Sequence, residues 1–278
     1  MYFIQTLKKI FAQKKRVIGA TDLSRALAHN EFSFYYQPEW DLKTGKIKGL
    51  EALIRWESPS GIVPPNEFIP VLEETGLINS FTPFLFNQTL HDLHELHSVG
   101  FSNLFMSVNL SAVQLQDSAL IEVIQKSLDQ YGIVPANLEC EITESREVKK
   151  VGSEMDTLKA LGKMGIRVSI DDFGSGHASF GYIKNLDISK IKVDIEFIKE
   201  LFEKETNQTI MRTIIELGHA LNLSVLAEGV EKPEQEKWLK DNGCDYAQGF
   251  LLSRPLPLPM LISFLREHSD RIDTSVNA

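Results

Sequence analysis

Val168-Ser169-Ile170-Asp171-Asp172-Phe173-Gly174-Ser175-Gly176 is the stretch from which the architecture of this 278-residue chain can be read. The β-branched Val168 and Ile170 alternate with Ser169 and Asp171 as in a buried strand, and a helix-like run over 151–164 precedes them. The strand ends in two adjacent carboxylates and a glycine-rich turn. One aspartate there would read as the N-cap of a following helix; two in a row, with Gly174 and Gly176 behind them, fit that reading less well. Adjacent acids at the mouth of an apolar strand are costly unless a cation neutralises them, and a divalent metal shared between carboxylates turns that cost into chemistry.

Working outward, helix and strand patterns alternate on both sides. Downstream come helix signals over 178–184, a strand at 190–194, helices across 195–220, a strand at 224–228, a helix at 233–242, a strand at 246–251 and a last helix at 259–268. Upstream lie strands at 138–143 and 104–110, with helices at 118–131, 82–99 and 65–75. Two further strands, 32–40 and 46–56, follow a helix that Thr21-Asp22 caps. The gap between these two strands is too short for a parallel crossover, so they form an antiparallel hairpin. Eight strands, the later ones alternating with helices, predict an α/β fold, a TIM-like (β/α)8 barrel with an antiparallel first strand. No repeat or Pro/Gly-rich linker divides it. The expected organisation is a basic linker or surface helix over 1–20, the barrel over 21–268 and a polar, disordered tail over 269–278.

With 43% hydrophobic and 24% charged residues the chain is an ordinary globular one, and a net charge of -9 excludes a general nucleic-acid footprint. An anionic ligand must therefore be held by a few local cations or by metal. Cys140 and Cys244 argue for a reducing compartment and no disulfide framework. No apolar run reaches the roughly 18 residues of a membrane span. Residues 1–17 are basic and apolar without a signal-peptide pattern; they read as a linker helix, with weak membrane-surface contact as the alternative. The expected location is cytoplasmic, with a peripheral position at the inner membrane face as its variant.

Parallel barrel strands, covered on both faces, should be continuous apolar runs. These are not. Ser107, Asn109 and Ser111 alternate with apolar neighbours, as do Glu139, Glu141 and Thr143, then Ser169 and Asp171, then Lys192 and Asp194. Glu228 ends one strand, Gln248 lies in another, and Glu51 and Arg55 share a face of the second. A period of two turns these polar residues toward the barrel axis and gathers them at the C-terminal strand ends, where barrel enzymes keep their chemistry. An internal salt-bridge network is the structural alternative. The inventory is five carboxylates (Glu51, Glu141, Asp171, Asp172, Glu228), the amide of Asn109 and one lysine, Lys192; all-oxygen ligation by the carboxylates and the amide suits Mg2+ or Mn2+ rather than zinc. That is enough for two ions per site, an arrangement used in phosphodiester hydrolysis with water as nucleophile.

These blocks resemble a family. Tyr36-Gln37-Pro38 with Glu51-Ala52-Leu53-Ile54-Arg55-Trp56 is similar to the signature of EAL domains, the bacterial cyclic di-GMP phosphodiesterases. Val108-Asn109-Leu110-Ser111, Glu141-Ile142-Thr143-Glu144, the Asp171-Asp172 block, Lys192-Val193-Asp194, Ala227-Glu228-Gly229-Val230-Glu231 and Gln248-Gly249-Phe250 follow in the family's order. The resemblance covers nearly the whole chain and implies hydrolysis of cyclic di-GMP to linear pGpG by a homodimer in bacterial second-messenger signalling. It implies Glu51, Asn109, Glu141 and Asp171 at one metal, and Asp171, Asp172 and Glu228 at a second. Lys192 would position the attacking water or steady charge, and Glu228 would serve as ligand or base. Arg55, Gln37 and Gln248 would contact substrate, Asp194 and Glu231 would support the site, and Glu144 with Ser175 would anchor the loop after Phe173. His177 and Phe180-Gly181 depart from the family pattern in that loop. A receptor that binds cyclic di-GMP without cleaving it is the alternative reading. His91, His94 and His97, three residues apart on a predicted helix, drift around it and read as a solvated face rather than a metal site.

Overall fold

The structure, a computed structural model, describes residues 18–143, 153–174 and 187–272. The expectations for residues 1–17, for Glu144, Ser175 and His177, and for the helix over 178–184 lie outside them. The chain separates into two compact units. The smaller takes in the described residues up to Ser33 together with Arg55–Ile78. It contains helices α1 (Ala20–Ala28) and α2 (Pro65–Glu74) and the short strand β3 (Gly61–Val63). Its core is aromatic: Phe32 stacks on Trp56 at 5.8 Å between ring centroids, and Phe68 closes edge-on against Trp56 at 6.0 Å. The one polar atom of Trp56 is satisfied, its Nε1–H donating to Glu31 Oε2 at 2.9 Å.

The larger unit is the barrel. Its strands are β1 (Phe32–Asp41) and β2 (Lys46–Ser58), both of which begin or end in the smaller unit, then β4 (Phe105–Leu110), β5 (Leu138–Thr143), β6 (Arg167–Phe173), β7 (Lys190–Val193), β8 (Ser224–Ala227) and β9 (Tyr246–Ala247). They close in the order β1-β2-β4-β5-β6-β7-β8-β9 and back to β1. From β2 to β9 the neighbours are parallel, whereas β1 runs antiparallel to β9. The hairpin turns on Gly45, whose φ of 69° lies in the left-handed region and whose N–H donates to Asp41 O at 2.8 Å. A short strand β10 (Leu256–Pro257) adds to β1 outside the ring.

Outward-facing Val108, Cys140, Ile142, Val168, Ile170, Ile191, Val193 and Val225 are all buried. They pack beneath the helices that return the chain between strands, among them α3 (Ile78–Ser98), α4 (Ala112–Leu115), α5 (Leu120–Tyr131), α6 (Ser153–Lys163), α7 (Ile195–Lys199), α8 (Glu205–Ala220), α9 (Pro233–Asp241) and α10 (Leu258–Glu267). Local chemistry sets the helix ends: α5 stops at Gly132 in the left-handed region (φ 63°), and Asp194 caps α7 by accepting the Glu196 N–H at 2.7 Å.

Some boundaries differ from the sequence expectation. The strand expected over 246–251 is only Tyr246–Ala247, because the chain then turns against the backbone of Val230: a Cβ on Gly249 would fall 2.2 Å from Val230 N and O. Ser269–Arg271 form a 3-10 turn and Ile272, buried, bridges Ile47, so these four residues are held rather than frayed. Among the histidines, His91 and His94 are exposed, but His97 is half-buried and its Nε2 bonds Leu104 O at 2.9 Å. Both cysteines are buried free thiols. No helix among the described residues is long and apolar enough to cross a membrane.

Candidate active site

The polar residues that alternate along the strands meet inside the barrel. Lys192, on β7 and fully buried, stands at their centre. Its ammonium lies 2.6 Å from Glu141 Oε2, 2.8 Å from Glu228 Oε1, 3.3 Å from Glu51 Oε2 and 3.5 Å from Asp171 Oδ1. A single buried cation thus touches carboxylates from four other strand ends. Amides complete the arrangement: Asn109 Nδ2 donates to Glu51 Oε1 at 2.8 Å, and Gln248 Nε2 to Glu51 Oε2 at 2.7 Å. Gln248 Nε2 also reaches Gln37 Oε1 at 3.2 Å, while Gln37 Nε2 donates to Ser253 O at 3.0 Å.

The adjacent aspartates pose a geometric problem, since neighbours on a strand face opposite ways. β6 resolves it with a register shift against β7 between Ile170 and Phe173, and Asp172 takes a φ of 55°. Aspartate is among the few non-glycine residues that visit this region readily. The bulge turns both side chains the same way, so that Asp171, Asp172 and Glu228 each offer an oxygen within 4.8 Å of the others. Asp171 Oδ1 accepts the Asp172 N–H at 3.0 Å, which ties the bulge to the acid it presents.

These residues border a cleft of about 280 Å³ whose walls include Gln37, Glu51, Asn109, Asp171, Glu228 and Gln248. Sequence reasoning missed Leu53, Ile195 and the exposed Phe250 at its edge, apolar positions that periodicity cannot separate from core. Glu231 also borders the cleft, with its backbone N–H donating to Gln235 Oε1 at 2.9 Å. Asp194 caps a helix, and its charge also helps to raise the Asp172 carboxyl. Arg55 lies farther along β2, in the part of the strand that belongs to the smaller unit. Gly229 carries the chain out of Glu228 with a φ of 68°, and a Cβ there would fall 2.0 Å from Ile195 Cγ1. Gly229→Ala is therefore expected to cost about 1–3 kcal/mol, read as a lowered denaturation midpoint.

Burial dominates the electrostatics. It raises the Glu228 carboxyl to about 8 against the pull of Lys192, with help from Asp171 and Glu51, and it raises Asp172 to about 6 together with the Asp171 charge. Glu141 is pushed well above the carboxylate range by burial, despite Lys192. Burial also works to raise Glu51, but Lys192 and the amides of Gln248 and Asn109 outweigh it and hold that carboxyl below its ordinary value.

Five carboxylates and one ammonium leave a formal charge of -4 when all are ionised, which two divalent cations would balance. The donors are all oxygen, and the buried Glu141 Oε1 makes no hydrogen bond. The cluster could therefore hold metal, and its chemistry fits a hard cation. A cation bound there would displace the protons that Glu228, Asp172 and Glu141 keep, so its affinity would rise with pH. In the metal-free fold Glu228 by itself contributes the opposite trend. Glu228 moves from 4.5 to about 8 on folding, so the stability this gives is complete below about 4.5 and lost as pH rises through about 8. The upward shift in Tm produced by a fixed Mg2+ concentration is expected to be larger at pH 8.5 than at pH 6, as melts with and without Mg2+ would show.

Comparison with known proteins agrees with this geometry. The EAL domain family model matches residues 20–255. Signaling protein YkoW of Bacillus subtilis is 39% identical over 246 residues, covering 88% of this chain and 31% of YkoW. Cyclic di-GMP phosphodiesterase NbdA of Pseudomonas aeruginosa is 36% identical over 89% of this chain and 32% of its own length. The solved structure of the PaMucR phosphodiesterase in its c-di-GMP complex superposes with a TM-score of 0.82 at 36% identity, over 87% of this chain and 98% of that one. The chain spans about a third of the length of these curated relatives. Its barrel, its ordered motif blocks and these matches place it together: the chain belongs to the EAL domain family.

Proposed function

We propose that this chain is a metal-dependent phosphodiesterase that hydrolyses one phosphodiester bond of cyclic di-GMP to give linear pGpG in bacterial signalling. The observation that carries the reading is the Lys192 ammonium held among Glu51, Glu141, Asp171 and Glu228 beside an open cleft. A receptor would need neither this concentration of acids nor its bulge. Glu51, Asn109, Glu141 and Asp171 would hold one Mg2+ or Mn2+, and Asp171, Asp172 and Glu228 a second. Such ions, when bound, polarise the phosphoryl oxygens and make water more acidic.

The chain's own residues do the rest. Gln37 and Gln248 orient the substrate at the cleft edge, and Arg55 takes a phosphate oxygen. Water attacks phosphorus in line with the 3′ oxygen, the P–O3′ bond breaks, and the product keeps a 5′ phosphate and a 3′ hydroxyl. Lys192 steadies the charge that gathers on the phosphoryl oxygens or holds the water. Glu228, with a carboxyl near 8, is suited to exchange a proton close to neutral pH when it is not serving as a ligand. The 21–268 region acts as the catalytic domain of a homodimer, and residues 1–17 act as a linker or a weak membrane-surface contact. Chromatographic detection of pGpG with Mg2+ present tests the reading. Folded, metal-loaded protein at micromolar concentration that gives no product refutes it.

A further inference from the structure

Beneath the site lies a second tier of charge. On β5 Glu139 sits two residues before Glu141, and on β7 Lys190 two before Lys192. On the reversed β1, Glu39 comes two after Gln37, so it too points inward one step deeper. Lys190 Nζ is 2.6 Å from Glu39 Oε2 and 2.8 Å from Glu139 Oε1, and all three residues are almost fully buried. Ser107, two before Asn109 on β4, donates to Glu39 Oε1 at 3.2 Å. The floor is aromatic: the Lys190 ammonium stands 4.7 Å from the centre of the Phe105 ring. That ring occupies the space where a side chain on Gly49 would be, since a Cβ there would fall 2.3 Å from Phe105 Cζ.

Apolar side chains would fill these positions at lower cost, because buried ion pairs seldom repay their desolvation. The two tiers meet at Glu141. One oxygen each from Glu39, Glu139 and Glu141 lie within 4.8 Å of one another, and Glu141 Oε2 is the closest partner of Lys192. Glu139 Oε2 has no hydrogen bond. Without Lys190, the unpaired acids of the lower tier would compete with Asp171 and Glu228 for the Lys192 ammonium.

We propose that Lys190, clamped by Glu39 and Glu139, is a positioning residue that keeps Lys192 directed at the upper carboxylates. The inference rests on the phosphodiesterase reading above. Its test compares kcat and KM for cyclic di-GMP, and the 15N resonance of the Lys192 ammonium in metal-free protein, across variants. Lys190→Met is expected to lower kcat at least tenfold, to leave KM within twofold and to move the Lys192 resonance. Adding Glu39→Gln and Glu139→Gln removes the competing acids and should restore kcat to within threefold of wild type. A folded Lys190→Met with kcat within twofold and an unmoved resonance overturns the proposal, since Glu39 and Glu139 would then simply have taken up protons. A triple variant that folds but is no more active than Lys190→Met also overturns it. Should Lys190→Met fail to fold, Glu39→Gln/Glu139→Gln reads the same contact from the other side. There the unopposed Lys190 turns to Glu141 and kcat falls, and a wild-type kcat overturns the proposal. Wild-type protein in the same assay separates the two claims, because its own inactivity would refute the phosphodiesterase reading and not this one.

Discussion

Asp171→Ala is expected to lower turnover by on the order of a hundredfold or more, the largest loss of any single acid in the site. Three separate contacts meet at this side chain. Its Oδ1 lies 3.5 Å from the Lys192 ammonium, it accepts the Asp172 N–H that ties down the bulge, and it shares a ligand-sized cluster with Asp172 and Glu228. In the proposed two-metal scheme it would also be a ligand to both ions. Asp171→Asn separates these roles, because the amide oxygen can still accept the Asp172 N–H while the charge is gone. Both variants are expected to lose turnover to a similar extent, with Asp171→Asn keeping a near-native melt. Product formation within threefold of wild type by Asp171→Ala would remove the two-metal scheme.

Lys192→Met is expected to damage both stability and catalysis, and metal should repair only the first. Without the ammonium, Glu51, Glu141, Asp171 and Glu228 face one another in the barrel interior. Removing one partner from a buried ion network costs about 3–5 kcal/mol. The Tm of the metal-free variant should fall accordingly. Saturating Mg2+ should recover most of it by supplying positive charge to the same carboxylates, while pGpG formation stays at least roughly a hundredfold below wild type. Recovery of turnover along with Tm would show that Lys192 is only a counter-ion. Lys192→Arg is no substitute control, because a planar guanidinium does not fit the contacts of a compact ammonium.

Much of this was legible from residue order. Strand periodicity exposed the inward acids, and the short gap between 41 and 46 required the reversed first strand. Three features were not legible. The bulge at Asp172 depends on pairing with β7, which neighbours in sequence do not reveal. The ion-pair network was expected only as an alternative to catalysis; that four of its acids converge on one ammonium, Lys192, depends on the closed ring and not on alternation within any one strand. Of the lower tier alternation exposed Glu139, but its pairing through Lys190 with Glu39 depends on strands far apart in sequence meeting across the barrel. Alternation puts Arg55 on the face of Glu51, but the strand passes into the smaller unit before reaching it.

The lapse in pairing beside Asp172 also has a dynamic consequence. A closed barrel has no free edge, so its amides are shielded from solvent by a continuous ladder. Between Ile170 and Phe173 that ladder is interrupted on the β7 side, at the two residues that face the acidic cluster. The ring therefore carries a seam, and local opening, which governs hydrogen exchange, should begin there rather than in the tightly laddered β4 and β5. A cation binding across Asp171, Asp172 and Glu228 would stitch the seam from inside. Occupancy of the site would then be written into the breathing of the whole barrel.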